Sequence, residues 1–138
     1  MQLFLASSFA QVLPLFACFM SAGVEGKTAA FIATASLHES YTAYVDDARQ
    51  AWQSMGAQWL DVDLCTARSG ALAQQFARCD LVYTSGGNTL FLLPELRRSG
   101  AGDVIASLVL AGVPSGGETV CAALALPDVG HMADRPTL

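Results

Sequence analysis

The sequence predicts a three-layer α/β domain, a mostly parallel sheet with helices on both faces, and three observations lead there. Short apolar runs alternate with helix-period segments about five times along the chain, the mark of successive βα units. Several of these runs are apolar throughout rather than alternating, as strands covered on both faces are. The chain is 53% hydrophobic and 14% charged over 138 residues. That composition is too apolar for disorder and the length suits a single domain, 1–138.

Each element follows from its residues. Residues 2–6 read as a first strand, residues 10–21 as a helix, and residues 28–34 (TAAFIAT) as a second strand, with Gly23 and Gly26 punctuating the join. Tyr44, Val45, Ala48, Trp52 and Met55 recur at three and four, which marks one face of a helix that Gly56 stops. A third strand takes residues 59–62, a short helix 71–77, and a fourth strand 81–84, which runs into Ser85-Gly86-Gly87-Asn88-Thr89. Asn88 or Thr89 can cap the next helix, residues 90–98, with Gly100 as its stop. Pro94 inside that helix removes a donor and predicts a kink or a late start. A further helix at 103–111 leads to a last strand at 113–116.

Composition also excludes partners. The net charge is -5, the pI is about 4.7, and no basic run exceeds Arg97-Arg98, so a nucleic-acid backbone has no docking stripe. Cys18, Cys65, Cys79 and Cys121 form no Cys-x-x-Cys or paired Cys/His spacing, which argues against zinc or a redox dithiol and for reduced thiols in a cytoplasmic protein. His38-Glu39 lacks the second histidine of a His-Glu-x-x-His site, and no cofactor or metal is expected. The uncharged first 22 residues lack a basic leader and are interrupted by Ser7, Ser8, Gln11 and Pro14, so they read as strand and helix rather than a secretory signal. No apolar run is long and clean enough to span a bilayer, and no membrane partner is expected.

Chemistry concentrates at residues 116–122, GGETVCA, where a buried strand meets a helix as in a nucleophile elbow. Such a turn needs small residues two positions either side of the nucleophile. Two registers fit: Thr119 between Gly117 and Cys121, or Cys121 between Thr119 and Ala123. The first puts glycine where crowding is worst. The plainer alternative is a strand-to-helix join capped by Thr119 or Glu118. A β-branched Thr119 resists positive φ, which predicts a relaxed turn. Gly86, Gly87 and Asn88 supply backbone donors ahead of a helix N-terminus, suited to an anion or a developing oxyanion. Both segments leave the C-terminal ends of strands, where open α/β sheets bind ligands.

These residues resemble the peptidase E family, also called dipeptidase E or aspartyl dipeptidase, serine hydrolases related in fold to class I glutamine amidotransferases. The resemblance rests on MQLFLASSFA at the start, Gly26-Lys27-Thr28 leading to Thr34-Ala35-Ser36, Gly-Gly-Asn-Thr before a Leu-rich helix, and the elbow. The family's elbow is Gly-Glu-Ser-Ala-Gly-Ala. Gly117 and Glu118 match it, Thr119 stands for the nucleophilic serine, and Val120 and Cys121 replace Ala-Gly.

The resemblance implies a flavodoxin-like, class I glutamine amidotransferase-like fold without the family's C-terminal strands, and an exopeptidase acting on short peptides with an N-terminal aspartate. It implies Thr119 as nucleophile, Gly86 or Gly87 with Val120 as oxyanion donors, Asn88 and Glu118 at the substrate, and Asp134 as the acidic position beyond the elbow helix. The family's catalytic histidine comes from a later strand with no counterpart here. His131 is the nearest substitute base, His38 a second, and impaired chemistry is the expectation. Two other readings compete: a non-catalytic binding or assembly module, forming a homo-oligomer through an exposed sheet edge, and a Cys121 amidotransferase-like or thiol-reactive site.

Overall fold

The computed structural model describes residues 2–118. Its sheet has five strands, all parallel: β1 (Leu3–Leu5), β2 (Thr28–Ile32), β3 (Gln58–Asp61), β4 (Leu81–Thr84) and β5 (Ser115–Gly117). They lie in the order β1-β5-β4-β2-β3. The helices are α1 (Leu13–Phe19), α2 (Ala43–Ser54), α3 (Ser69–Ala77), α4 (Thr89–Ser99) and α5 (Ala101–Leu110). The architecture is the flavodoxin-like α/β fold, with the mostly parallel sheet the sequence predicts.

Alternation along the central strands builds the two core layers. Ala29 and Phe31 of β2, with Leu81 and Tyr83 of β4, pack with Phe9, Phe16, Val45, Ala48 and Trp52 beneath α1 and α2. Ala30, Ile32 and Val82 point the other way, against Leu72, Phe76, Leu92, Leu96 and Ile105 of α3, α4 and α5. All four residues of β4 are buried, as a central strand covered on both faces requires. Phe9 lies at the centre of the first layer, stacked on Trp52 at 5.0 Å and tilted against Tyr83 at 4.9 Å between ring centroids. Such pairs contribute about 1 kcal/mol each beyond their buried area.

The predicted first helix divides in two. Phe9–Gln11 is a 3-10 turn and α1 starts at Leu13, because Pro14 lacks an N–H and is tolerated only in a helix's first turn. The second strand ends at Ile32 rather than at residue 34; Thr34–Ser36 turns as a 3-10 helix, where Ser36 donates both its N–H and its Oγ–H to the Ala33 carbonyl. Pro94 does not delay α4, which starts at Thr89 because the Asn88 side chain caps it firmly. The last strand sits at Ser115–Gly117, one residue beyond the predicted end. No described helix is long and apolar enough to cross a membrane.

Candidate active site

The strand order fixes where a site can form. From β2 the chain moves outward to β3, and from β4 it moves the opposite way to β5, so the reversal lies between the C-terminal ends of β2 and β4. There the loop after β4 meets the turn after β2: Ser85 N–H donates to the Ile32 carbonyl at 2.9 Å and Asn88 N–H to the Ala35 carbonyl at 2.8 Å. Gly87 fits this contact only because it has no side chain. Its φ is +134°, and a Cβ would lie 2.4 Å from the Ala35 carbonyl oxygen.

Beside this contact opens a cleft of about 340 Å³ lined by Ser7, Ser8, Glu39, Tyr41, Tyr44, Gly86, Gly87 and Glu118. Its walls come from the exits of β1, β2, β4 and β5, with the first turn of α2. Burial comes first and the Glu39 and Glu118 carboxylates second in raising the Tyr44 phenol above its ordinary value, so it stays a proton donor at neutral pH.

Glu118 closes the floor. Its side chain is 4% exposed, and both carboxylate oxygens are occupied. Oε1 accepts from the Tyr83 hydroxyl at 3.1 Å and from Phe9 N–H at 3.4 Å, and Oε2 accepts from Gly86 N–H at 3.0 Å. Its own N–H donates to the Thr84 carbonyl at 3.1 Å, while Ala6 N–H donates to the Gly117 carbonyl at 3.0 Å. A buried carboxylate requires such donors, and here they tie the exits of β1, β4 and β5 to one group.

Several site residues sit differently from the sequence expectation. Gly86 N–H is held by Glu118, so it is not presented to a substrate; a Cβ there would lie 2.5 Å from Oε2. Gly87 lines the cleft, and its N–H has no acceptor among the described residues. The Asn88 side chain caps a helix: Oδ1 accepts from Leu90 N–H at 2.9 Å and Phe91 N–H at 3.3 Å. Glu118 is braced through its carboxylate, and the helix it was expected to cap lies outside the described residues. His38 is exposed and meets the Phe91 ring edge-on at 4.5 Å. Thr119, Val120, Cys121, His131 and Asp134 lie outside the described residues. Cys18, Cys65 and Cys79 are free thiols.

Asn88→Ala removes the cap and should destabilise the fold by about 1 kcal/mol, read as a lower urea midpoint. An unchanged midpoint would mean that α4 is held by packing alone.

Other wall residues escaped the sequence reading. Ser7, Ser8, Glu39 and Tyr41 follow strand exits, and the rule that ligands bind at those ends would have found them. Tyr83 also left a signal, since a phenol inside a wholly buried strand needs a partner for its hydroxyl.

Comparison with known proteins agrees with this geometry. The sequence model of peptidase family S51 matches residues 3–135. An uncharacterized peptidase of Listeria monocytogenes is 39% identical over 94% of this chain and 63% of its own length. One from Pasteurella multocida is 40% identical over 95% of this chain and 63% of its own. The chain thus spans less than two thirds of these curated relatives. A solved Listeria monocytogenes EGD-e protein, described as a candidate peptidase E, superposes with a TM-score of 0.82 and 34% identity over 98% of this chain and 71% of that one. A peptidase from an acI-B1 actinobacterium gives 0.62 at 19% identity over 86% and 53%, a likeness of fold alone. With the family match running from the first strand past Thr119, the chain belongs to peptidase family S51, the peptidase E family.

Proposed function

We propose that this chain carries a peptidase-E-type hydrolytic site that releases N-terminal aspartate from short peptides by acyl transfer, slowed by the threonine at the nucleophile position. The observation that carries the reading is Glu118: it is fixed on the cleft floor through both carboxylate oxygens, and Thr119 is the next residue in the chain.

In this mechanism Thr119 Oγ attacks the scissile carbonyl and its proton passes to a histidine, with His131 the base we favour; the histidine gives that proton to the leaving amine, and the acyl-enzyme is then hydrolysed by water. Gly87 N–H, which has no other acceptor among the described residues, holds the oxyanion together with Val120 N–H. Gly86 N–H is excluded from that role by its bond to Glu118. Asp134 receives the substrate's ammonium group.

Release of the chromophore from an aspartyl anilide tests this. Thr119→Ser, which relieves the β-branch, should raise turnover about tenfold, and Thr119→Ala should reduce it to background. Equal rates in all three proteins would remove Thr119 from the mechanism.

A further inference from the structure

We infer that Tyr83 is a positioning residue for this site: its buried hydroxyl holds the Glu118 carboxylate, and the carboxylate holds the Gly86-Gly87 turn. For its effect on turnover the inference rests on the peptidase reading above; the brace itself does not.

Packing alone does not require a tyrosine at this position. The side chain is fully buried, and its ring lies 4.9 Å from Phe9, 4.9 Å from Phe31 and 5.6 Å from Trp52, company in which phenylalanine would serve as well. The hydroxyl is the difference, and it reaches Glu118 Oε1 at 3.1 Å. Of the carboxylate's three donors among the described residues, two are backbone groups, Phe9 N–H and Gly86 N–H, which any residue but proline would provide. The third is the side chain of Tyr83, so it alone can be removed without touching the backbone.

Without that hydroxyl, Oε1 keeps, among the described residues, the longer bond from Phe9 N–H at 3.4 Å. The terminal torsion of a glutamate is soft, so the carboxylate can turn toward the cleft that it already lines. Two things then fail together. Gly86 N–H loses its acceptor, which loosens the turn presenting Gly87, and an unrestrained negative charge approaches the place where the tetrahedral intermediate develops its own. The rest of the cleft wall, with Ser7, Glu39, Tyr41 and Tyr44, is left as it was. The loss therefore falls on kcat and spares KM.

Tyr83→Phe in the whole chain tests this with two readouts: kcat and KM on the aspartyl anilide, and amide hydrogen exchange over residues 85–88 against residues 28–32. The expected result is a kcat about tenfold lower with KM within about twofold, and faster exchange at 85–88 while 28–32 stays as in wild type. Wild-type kcat with wild-type exchange at 85–88 would overturn the inference. So would faster exchange spread evenly over both segments, which marks a packing role only. If the unmodified chain releases no chromophore, the peptidase reading fails by itself, and exchange at 85–88 still decides whether Tyr83 braces the turn.

Discussion

Gly87→Ala is expected to lower the melting temperature by about 10 °C and to cut turnover by more than about 100-fold. The added Cβ would sit 2.4 Å from the Ala35 carbonyl oxygen and 2.5 Å from its carbon, both backbone atoms with no flexible end to swing aside. The φ of +134° is one that L side chains rarely adopt. Strain of this kind costs about 1–3 kcal/mol, and separating the two exits also breaks the bond from Asn88 N–H to Ala35. A total near 3 kcal/mol corresponds to about 10 °C for a domain of this size. The same change moves Gly87 N–H by the distance that the clash demands, and a misplaced oxyanion donor loses about 100-fold or more. Gly102→Ala is the control, because its nearest neighbours are 3.8 Å away and it lies in α5, where alanine is the better helix former. A Gly87 variant as stable and active as that control would mean that the turn is not held against Ala35 in solution.

Glu118→Gln, isosteric as it is, should lower stability by about 2 kcal/mol and turnover by about 30-fold. A carboxylate accepts on both oxygens, and this one uses both, with two donors on Oε1 and one on Oε2 among the described residues. A glutamine amide has one accepting oxygen and one donating nitrogen. Facing its NH2 toward Gly86 sets donor against donor, while facing it toward Phe9 does the same there, though the Tyr83 hydroxyl could rotate to accept. Either way one buried backbone N–H is left unsatisfied. Urea unfolding with turnover measured on the same preparations checks both effects. A Gln variant indistinguishable from wild type in both would show that the three bonds contribute nothing net.

The fold was legible in the sequence because its signals are local. The β-prone run Leu81-Val82-Tyr83-Thr84 between turn signals gives a buried strand, and the spacing of Val45, Ala48 and Trp52 gives the face of α2. The Gly-Gly-Asn turn was visible too, but not the division of labour within it. Which glycine gives its N–H to Glu118, and which keeps its N–H for the cleft, depends on where β1 and β5 sit beside β4, and chain order does not reveal strand order. Asn88 shows the same gap on a smaller scale. Its type suits both a cap and a ligand contact, and only the distance from Oδ1 to Leu90 N–H shows that it caps. The limits of α1 turned on one residue, Pro14, whose missing N–H could have been weighed against the apolar pattern around it.

The pairing of the first strand with the last described one governs the order in which the molecule can assemble. β1 hydrogen-bonds to β5, and Phe9 reaches Glu118 across 109 residues of chain. During synthesis, at about 5–20 residues per second, the apolar N-terminal segment waits roughly 5–20 s before its partner strand is made. The β2-β3 and β2-β4 pairs, by contrast, close within the first 84 residues. The middle of the sheet is thus free to form early, and β1, made before it, is among the last of the described strands to be locked in. Because such long-range closure slows folding, the edge occupied by β1, and with it the Glu118 floor of the cleft, is where refolding is expected to finish.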